Sequence, residues 1–309
     1  MKMKIVIALG GNAILKKGEK ATIDTQINDT ERAMKKLYPV IRANDVILTH
    51  GNGPQAGYLL LQQELAKKKV SRMPLDVLDA ETEGQIGYII QQNLYNLFQK
   101  TRLKKNIVTV LTQVLVSKND TAFNNPTKFV GPFYTKAQAN KLMHKFRIKQ
   151  DIGRGYRRVV ASPKPLQIIE TDVIKDLLRN NCVVIAAGGG GIPVVKGDKG
   201  LEGIEAVIDK DLASQCLANS VRADVLIMIT DVPGVYLDYK TNRQRMIKKI
   251  GLKDIKLHYE TGQFPAGNMG PKIEAAIKFL ENGGKKVIIT NIDDIDKTIR
   301  KEGGTVIVR

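Results

Sequence analysis

The sequence lacks the features of several large protein classes. No stretch reaches the roughly 18 consecutive apolar residues of a membrane-spanning helix. The apolar start of the chain ends at Gly10-Gly11, too soon for the core of a signal peptide. Cys182 and Cys216 are the only cysteines, too few for a metal quartet. We therefore expect a reduced, cytoplasmic protein without a membrane segment, in which Cys182 is a packed thiol.

Aromatic residues are also scarce, at 5% of the chain, although the net charge is +18. The lysines occur in scattered groups such as 67–69 and 285–286, and no basic stripe is interleaved with aromatic residues. Surfaces that bind single-stranded nucleic acid combine those two features. We expect general attraction to anions and no dedicated nucleic-acid site.

The common nucleotide-binding motifs are missing as well. No Gly-Lys-Ser or Gly-Lys-Thr occurs, which excludes a Walker A loop. The glycines of 51–57 are spaced one residue too widely for G-x-G-x-x-G, and no second strand ending in an acidic residue follows at the required distance. A nicotinamide-dependent enzyme is therefore disfavoured.

Glycine is abundant where three apolar runs end. Residues 5–9, 46–49 and 183–187 read as buried strands, followed respectively by Gly10-Gly11-Asn12, His50-Gly51-Asn52-Gly53 and Gly188–Gly191. Ligands of open α/β sheets bind at the carboxyl ends of the strands, and glycine lets them approach the main chain. The three segments predict one anion site built from main-chain N–H groups, most simply for phosphate.

Strand-like and helical patterns alternate along most of the chain. The predicted strands are 5–9, 46–49, 107–116, 183–187, 225–230, 287–290 and 305–308. The predicted helices are 25–43, 56–68, 85–100, 171–179, 209–220 and 272–282. Such alternation is typical of an α/β fold with an open, mainly parallel central sheet sandwiched by helices.

One stretch, 117–163, interrupts this alternation. It is rich in Gly, Pro, Asn and charged residues, and segments of this kind commonly form a lid or a small inserted subdomain. The alternative is a surface excursion without a role.

Two lysines stand at predicted helix starts. Lys210 lies between Asp209 and Asp211, and Lys272 follows Gly270-Pro271. The acidic residues alone are explained by helix capping. A lysine at that end opposes the helix dipole, however, and a bound anion would remove the conflict.

Taken together, these motifs resemble those of the carbamate kinases, in the amino-acid kinase superfamily. The similarity extends over essentially the whole chain and rests on Ala8–Ala13, Thr49–Gln55, Asn125–Lys128, Gly153–Gly155, Ala187–Pro193, Val207–Asp211 and Met269–Lys272. Related amino-acid kinases usually have a lysine before the first glycine pair, where this chain has Ala8-Leu9. In carbamate kinases a lysine of the inserted subdomain supplies that charge, and Lys128 matches it.

The resemblance implies a single amino-acid kinase domain over 1–309. Its carbamate-binding half would be about 1–180, its nucleotide-binding half about 181–309, and its lid 117–163. The implied reaction is ATP + carbamate ⇌ ADP + carbamoyl phosphate with Mg²⁺, in the catabolism of arginine. A cytoplasmic homodimer is also implied.

The resemblance further implies roles for individual residues. The catalytic residues would be Lys128, Lys210, Asp211 and Lys272. Carbamate would be bound by Gly10, Gly11, Asn12, Gly51, Asn52 and Gly53. The nucleotide would be bound by Gly188, Gly189, Gly190, Lys210, Thr230, Asp231, Tyr236, Met269 and Lys272. No protein ligand is expected for Mg²⁺, and His50 is expected to be structural.

Two other functions remain open from the sequence. The chain could be a nucleotide-binding or nucleic-acid-binding regulator that kept the fold and lost the chemistry, although a regulator would not need all four catalytic residues. It could also phosphorylate another small carboxylate, such as acetylglutamate. The lysine-bearing insertion and the Gly-Asn-Gly-Pro-Gln segment argue against that substrate.

Overall fold

The computed structural model describes residues 2–16, 18–20, 22–151, 155–264, 269–299 and 303–309, with Asn12 and Ile299 described by their main chains alone. The helices are α1 (Ile23–Ala43), α2 (Gly53–Ala66), α3 (Leu75–Thr101), α4 (Lys136–Leu142), α5 (Thr171–Arg179), α6 (Lys210–Ser220), α7 (Leu252–Glu260), α8 (Met269–Glu281) and α9 (Ile295–Ile299). The strands are β1 (Lys4–Leu9), β2 (Asp45–His50), β3 (Asn106–Thr109), β4 (Gln113–Leu115), β5 (Lys128–Tyr134), β6 (Ile148–Asp151), β7 (Gly155–Val160), β8 (Gln167–Ile168), β9 (Cys182–Ile185), β10 (Ile192–Gly197), β11 (Gly200–Gly203), β12 (Val225–Thr230), β13 (Val235–Leu237), β14 (Arg245–Ile247), β15 (Lys249–Gly251), β16 (Lys286–Asn291) and β17 (Thr305–Val308).

A central eight-stranded sheet organises the fold. Its strand order is β15-β17-β16-β12-β1-β2-β9-β3, and the six strands from β16 to β3 run parallel. β17 pairs antiparallel with β16. The inner strands are continuous apolar runs because both faces of the sheet are covered. The predicted α/β fold with a mainly parallel sheet is thus confirmed.

Helices cover the sheet in two layers. On one face, α1 and α3 pack through residues such as Leu37, Ile41 and Ile86 against Ile7 of β1. On the other face, α5, α6, α7 and α8 pack against the alternate side chains of the same strands. α1 begins where the side chain of Thr22 accepts a hydrogen bond from the main-chain N–H of Thr25. Within the described residues, no helix has the length and apolarity needed to cross a bilayer.

Two predicted elements differ from the structure. The single strand predicted over 107–116 is wrong: β3 ends at Thr109 in the central sheet, and β4 pairs with β10 in a separate four-stranded sheet. The break falls where the Glu83 carboxylate accepts from the N–H of Thr112 and the Glu170 carboxylate accepts from that of Gln113. These two carboxylates accept the main-chain hydrogen bonds of Thr112 and Gln113 where the chain passes from the central sheet to the four-stranded sheet.

The helix predicted over 85–100 begins earlier, at Leu75. Its first turns carry buried polar residues, Asp79, Thr82 and Glu83, in line with buried Leu78 and Ile86. Polar residues at core positions hid the helical period from the sequence pattern.

The inserted stretch 117–163 contains regular structure. β5, β7 and β6 form an antiparallel three-stranded sheet, and α4 starts with a capping box between Thr135 and Gln138. The small sheet contacts α2, and Phe146 lies under the guanidinium groups of Arg72 and Arg158, at 5.8 and 4.5 Å. The stretch is thus not an unstructured excursion, and Lys128 is the first residue of β5. Gly153 and Arg154 of the sequence motif lie outside the described residues.

Candidate active site

A cleft of about 320 Å³ lies where β1 and β2 end, between the first turns of α2, α6 and α8 and the start of β5. Many of the predicted site residues line it: Gly11, Gly51, Asn52, Gly53, Lys128, Gly189, Lys210, Asp211 and Lys272. A larger groove of about 570 Å³ lies at the opposite ends of β1 and β12. That groove contains none of the predicted site residues, so the chemistry identifies the smaller cleft.

Asp211 joins two of the predicted catalytic lysines. The Lys210 Nζ lies 2.7 Å from Asp211 Oδ1, and the Lys272 Nζ lies 3.1 Å from Asp211 Oδ2. Lys210 is the first residue of α6, and Asp209 caps that helix by accepting from the N–H of Asp211 at 2.9 Å. Asp211 therefore offsets part of the conflict between the lysines and the helix dipoles.

Burial sets the electrostatics of this cluster. It opposes ionisation of Asp211, but the two ammonium groups outweigh it and lower the pKa of the carboxyl to about 2. Burial also lowers the pKa of Lys272, and attraction to Asp211 offsets only part of that effect. The carboxylate is thus fixed in its charged form between two cations.

Lys128 reaches the cleft from the small sheet. Its Nζ lies 2.9 Å from Asp209 Oδ2, a pair that is partly exposed. The segment 128–131 and Lys272 are on the wall of one cleft, although they are far apart in sequence. The structure therefore brings together all three lysines singled out from the sequence.

The loop after β2 leads directly into α2. Asn52 is the N-cap residue of α2, yet its side chain does not cap the helix. Its Nδ2 donates instead to Asp79 Oδ1 at 3.1 Å and to Thr82 Oγ1 at 3.0 Å. Both side-chain hydrogens of Asn52 are therefore used inside the protein. The main-chain N–H of Gly51 donates to the carbonyl oxygen of Leu9 at 3.2 Å. Gly53, the first residue of α2, brings its main-chain N–H to the cleft.

The glycine turn after β9 packs against that loop. Gly189, Gly190 and Gly191 have φ values of 70°, 107° and 80°, which only glycine adopts without strain. A Cβ at Gly189 would lie 2.3 Å from Asn52 Nδ2, and one at Gly190 would lie 2.2 Å from the carbonyl oxygen of Ile208. Close packing, as well as ligand approach, thus explains the four consecutive glycines.

The first glycine pair occupies the end of β1. A Cβ at Gly10 would come within 2.7 Å of the carbonyl oxygen of Ile229, so β1 and β12 approach too closely for a side chain there. Gly11 has open space on its Cα and lines the cleft. The Asn12 side chain lies outside the described part of the chain.

The remaining residues predicted for the nucleotide are spread beyond this cleft. Thr230 ends β12 and donates to the exposed Asp231 at 3.1 Å. Tyr236 is in β13, with its ring 5.9 Å from that of Tyr239, and Met269 begins α8. None of these four lines the cleft, and Gly188 and Gly190 are buried beside it.

His50 is fully buried beneath the cleft. Its Nδ1 donates to the carbonyl oxygen of Gly51 at 3.2 Å. Burial lowers the pKa of the imidazole to about 4, so the ring is neutral at physiological pH. This geometry agrees with a structural role within the loop.

Sequence reasoning missed Asp79, Thr82 and Glu83 of α3. The Glu83 carboxylate accepts from the N–H groups of Gly188 and Thr112, at 2.8 and 3.0 Å. Burial raises the pKa of Asp79 well above its usual range and that of Glu83 to about 8. Their spacing, i, i+3 and i+4 within an apolar stripe, was the available signal.

Comparison with known proteins gives matches along almost the whole chain. A model of the amino acid kinase family matches residues 3–291. The carbamate kinase of Pyrococcus horikoshii is 42% identical over 310 residues, covering 99% of each protein. The carbamate kinase 2 of Staphylococcus aureus is 44% identical over 311 residues, again 99% of each. The structure of the carbamate kinase from Giardia lamblia bound to AMP-PNP has a TM-score of 0.94 and 43% identity, covering 99% of this chain and 98% of that one.

Proposed function

Because the chain belongs to the amino acid kinase family, and within it to the carbamate kinases, we propose that its cleft is the place of phosphoryl transfer between ATP and carbamate. The chain is a kinase, and its relatives do not favour the alternative of another small carboxylate. One observation carries the assignment to this cleft: Lys128, Lys210 and Lys272 converge there from three separate elements. Phosphoryl transfer needs such positioned positive charge more than it needs covalent chemistry.

In the ATP-forming direction, an oxygen of the ADP β-phosphate attacks the phosphorus of carbamoyl phosphate. A new P–O bond forms, the P–O bond to the carbamoyl group breaks, and carbamate leaves as an anion. No proton is transferred, so the reaction requires no general base. After release, carbamate takes up a proton from water, its C–N bond breaks, and ammonia and CO₂ form.

The lysines stabilise the charge on the phosphoryl group as it moves. Lys210 and Lys272 contact the nucleotide phosphates, with Asp211 fixing both ammonium groups. Lys128 approaches from the opposite wall. Its ammonium group leaves its ion pair with Asp209 and contacts the phosphoryl group during transfer. Preorganised donors of this kind are each worth on the order of 10²–10³ in rate.

Carbamate is held by the segments of Gly10, Gly11 and Asn12 and of Gly51, Asn52 and Gly53, through main-chain N–H groups such as those of Gly11 and Gly53. The N–H of Gly51 already donates to the carbonyl oxygen of Leu9, so Gly51 contributes by leaving room beside the cleft. The open space at Gly11 and Gly53 supports this part of the proposal. Carbamate is small and offers the protein few groups besides its carboxylate. The first turn of a helix such as α2 favours that negative charge.

The nucleotide lies toward the carboxyl-terminal half, with Thr230, Asp231, Tyr236 and Met269 around it. The positions of Thr230 at the end of β12 and of Met269 at the start of α8 support this side. Gly188, Gly189 and Gly190 remain predicted nucleotide contacts. Gly188 packs against His50, Gly189 against Asn52 and Gly190 against Ile208, so support of the neighbouring loops is the simpler role for all three.

Mg²⁺ is proposed to accompany the nucleotide, as in kinases generally. Every carboxylate oxygen of Asp209 and Asp211 already contacts a lysine or a main-chain N–H. Among the described residues, no group of three His, Cys, Asp or Glu side chains could hold a metal. Phosphate oxygens and water are therefore its expected ligands, and it would offset phosphate charge.

We also propose that 117–163 closes over the cleft as a lid. Lys128 is at the start of its sheet, and closure would exclude water from a reactive phosphoryl group. Slower hydrogen exchange across 117–151 and 155–163 with MgADP and a phosphate mimic is the expected result. Exchange that ligands leave unchanged would contradict a lid.

A cytoplasmic homodimer in arginine catabolism completes the proposal. The two free cysteines support a reducing compartment. Strand β3 ends the central sheet, beside the exposed Tyr88 and Tyr95 of α3, and this face could be covered by a second copy. Light scattering on the wild type and on Tyr95→Arg tests the dimer, since the substitution should yield monomer.

The decisive test of the function is formation of ATP. Purified protein is mixed with MgADP and carbamoyl phosphate, and ATP is detected with a coupled hexokinase assay. We expect ATP that depends on all three components. Binding of ADP without any ATP formation would identify a regulator instead.

A further inference from the structure

Asn52 occupies an N-cap position without capping. Asparagine at this position ordinarily accepts a hydrogen bond from an N–H two or three residues into the helix. The second residue of α2 is Pro54, which has no N–H, so the N–H that a cap would occupy belongs to Gln55. The Asn52 side chain makes no such bond. The start of α2 is therefore left without its best side-chain partner.

Helix α3 holds the Asn52 amide elsewhere. Asp79 Oδ1 and Thr82 Oγ1 take both of its N–H bonds, and both side chains are buried. The amide also lies flat against Gly189, where no side chain intervenes. The position of Asn52 is thus determined from two sides, neither of which is α2.

We propose that Asp79, assisted by Thr82, is a positioning residue that turns Asn52 away from α2 and leaves the first N–H groups of α2 open to the carbamate end of the substrate. The inference rests on the proposed function. Without Asp79, the Asn52 side chain rotates and caps α2, and the substrate must then displace that cap. Asp79 therefore makes α2 less stable and increases the affinity for the substrate.

The surroundings of Asp79 argue that it is not present for stability. The residue is 2% exposed, and its Oδ2 has no hydrogen-bond partner among the described residues. Burial, with Glu83 and Asp76 nearby, raises its pKa, and no described cation offsets them. A buried acid in this state is costly, so its presence beside the cleft points to a functional benefit.

Three variants and one control test the proposal in the full chain. For each, KM for carbamoyl phosphate, KM for MgADP, kcat and the unfolding temperature without ligand are measured. In Asp79→Ala, KM for carbamoyl phosphate should rise about five- to tenfold, the equilibrium factor of an ordinary N-cap. KM for MgADP should stay within about twofold, because the nucleotide lies on the other side of the cleft.

The second and third variants separate positioning from packing. Asp79→Asn keeps an acceptor oxygen in the same place and resembles the neutral acid, so KM for carbamoyl phosphate should stay within about twofold of wild type. The third variant adds Asn52→Ala to Asp79→Ala and is compared with Asn52→Ala alone. Because Asp79 acts through the Asn52 amide, KM for carbamoyl phosphate should be the same in these two proteins to within about threefold. Glu81→Ala, an exposed acid on the same helix, should match the wild type in every measurement.

Several results would overturn the proposal. KM for both substrates could rise together in Asp79→Ala, or Asp79→Ala could raise KM for carbamoyl phosphate about as much in the Asn52→Ala background as in the wild type; either result makes Asp79 a packing residue. If Asp79→Ala does not fold, Thr82→Val replaces it. In that variant KM for carbamoyl phosphate must rise about two- to threefold while KM for MgADP stays unchanged, and any other result rejects the proposal. Lack of ATP formation by the wild type would reject the function itself, a distinct outcome.

Discussion

The two sides of the cleft use opposite electrostatics. On the α6 and α8 side, Asp211 is charged between two lysines, and its pKa is lowered to about 2. On the α3 side, Asp79 and Glu83 are equally buried, yet burial raises the pKa of each, because no described cation pairs with them. One side therefore stabilises a charged carboxylate, while the other, called here the neutral side, favours the uncharged form of its buried acids.

Under the proposed function, this difference matches the two substrates. A nucleotide brings several negative charges, and fixed cations in a low-dielectric site stabilise them as they shift. Carbamate brings one charge on a small body, which hydrogen bonds from loop N–H groups can satisfy. Substitutions on the two sides should therefore give different signatures.

Asp211→Asn should have the largest effect of the substitutions considered. It removes the charge that holds both ammonium groups and leaves Lys272 buried without a full partner, which breaks a buried ion pair. We expect kcat to fall about 10³-fold or more and the protein to lose roughly 3 kcal/mol of stability. Asp172→Asn, at an exposed ion pair, is the control. An active Asp211→Asn would mean that the charged side does not depend on this carboxylate.

Lys128→Ala should have a smaller and more selective effect. Its ammonium group is partly exposed and comes from the small sheet, so its removal should leave the fold intact. A drop of about 10²-fold in kcat is expected, with affinity for ADP within about threefold, measured by calorimetry. Lys118→Ala, another lysine of the same stretch with an exposed partner, should be unaffected. Equal losses of ADP affinity and kcat would place Lys128 on the nucleotide.

The sequence predicted residues on both walls of the cleft but missed the contribution of α3. Lys210, Asp211 and Lys272 lie in short motifs with glycine or acidic neighbours, and such patterns are visible without a structure. The role of α3 depends on which residues its buried face meets, across 105 positions between Glu83 and Gly188. No local pattern records such a contact. The parallel sheet was predictable from alternation, whereas the break between β3 and β4 depended on distant Glu83 and Glu170.

Glycine substitutions should distinguish ligand contact from packing on the neutral side. Gly11→Ala places a methyl group in open space at the cleft, so the unfolding temperature should change little while KM for carbamoyl phosphate rises about tenfold. Gly190→Ala forces an alanine to φ 107° and against the Ile208 carbonyl. It should cost at least about 2 kcal/mol, which is roughly 3 °C in unfolding temperature for a chain of 309 residues. A loss of stability in Gly11→Ala together with a rise in KM in Gly190→Ala would mean that Gly11 is needed for packing and Gly190 for ligand contact.

The smallest expected effect is a dependence of stability on pH that arises on the neutral side. Glu83 has a pKa of about 8 in the folded protein and its ordinary 4.5 when unfolded. Between these values the unfolded chain holds fewer protons, so stability falls as the pH rises. His50, with its pKa lowered to about 4 from 6.5, has the opposite effect, complete above pH 6.5. Between pH 6.5 and 8 the carboxyl groups therefore dominate.

Glu83→Gln should flatten the pH dependence in that window. The wild type should lose up to about 2 kcal/mol from Glu83 between pH 6.5 and 8, seen as a falling unfolding temperature. Glutamine cannot ionise, so the fall should shrink to the part due to Asp79, even though the variant is less stable at every pH. Glu81→Gln, at an exposed position of α3, should keep the wild-type slope. Parallel curves for all three proteins would show that Glu83 is charged when folded, and the contrast between the two sides would disappear.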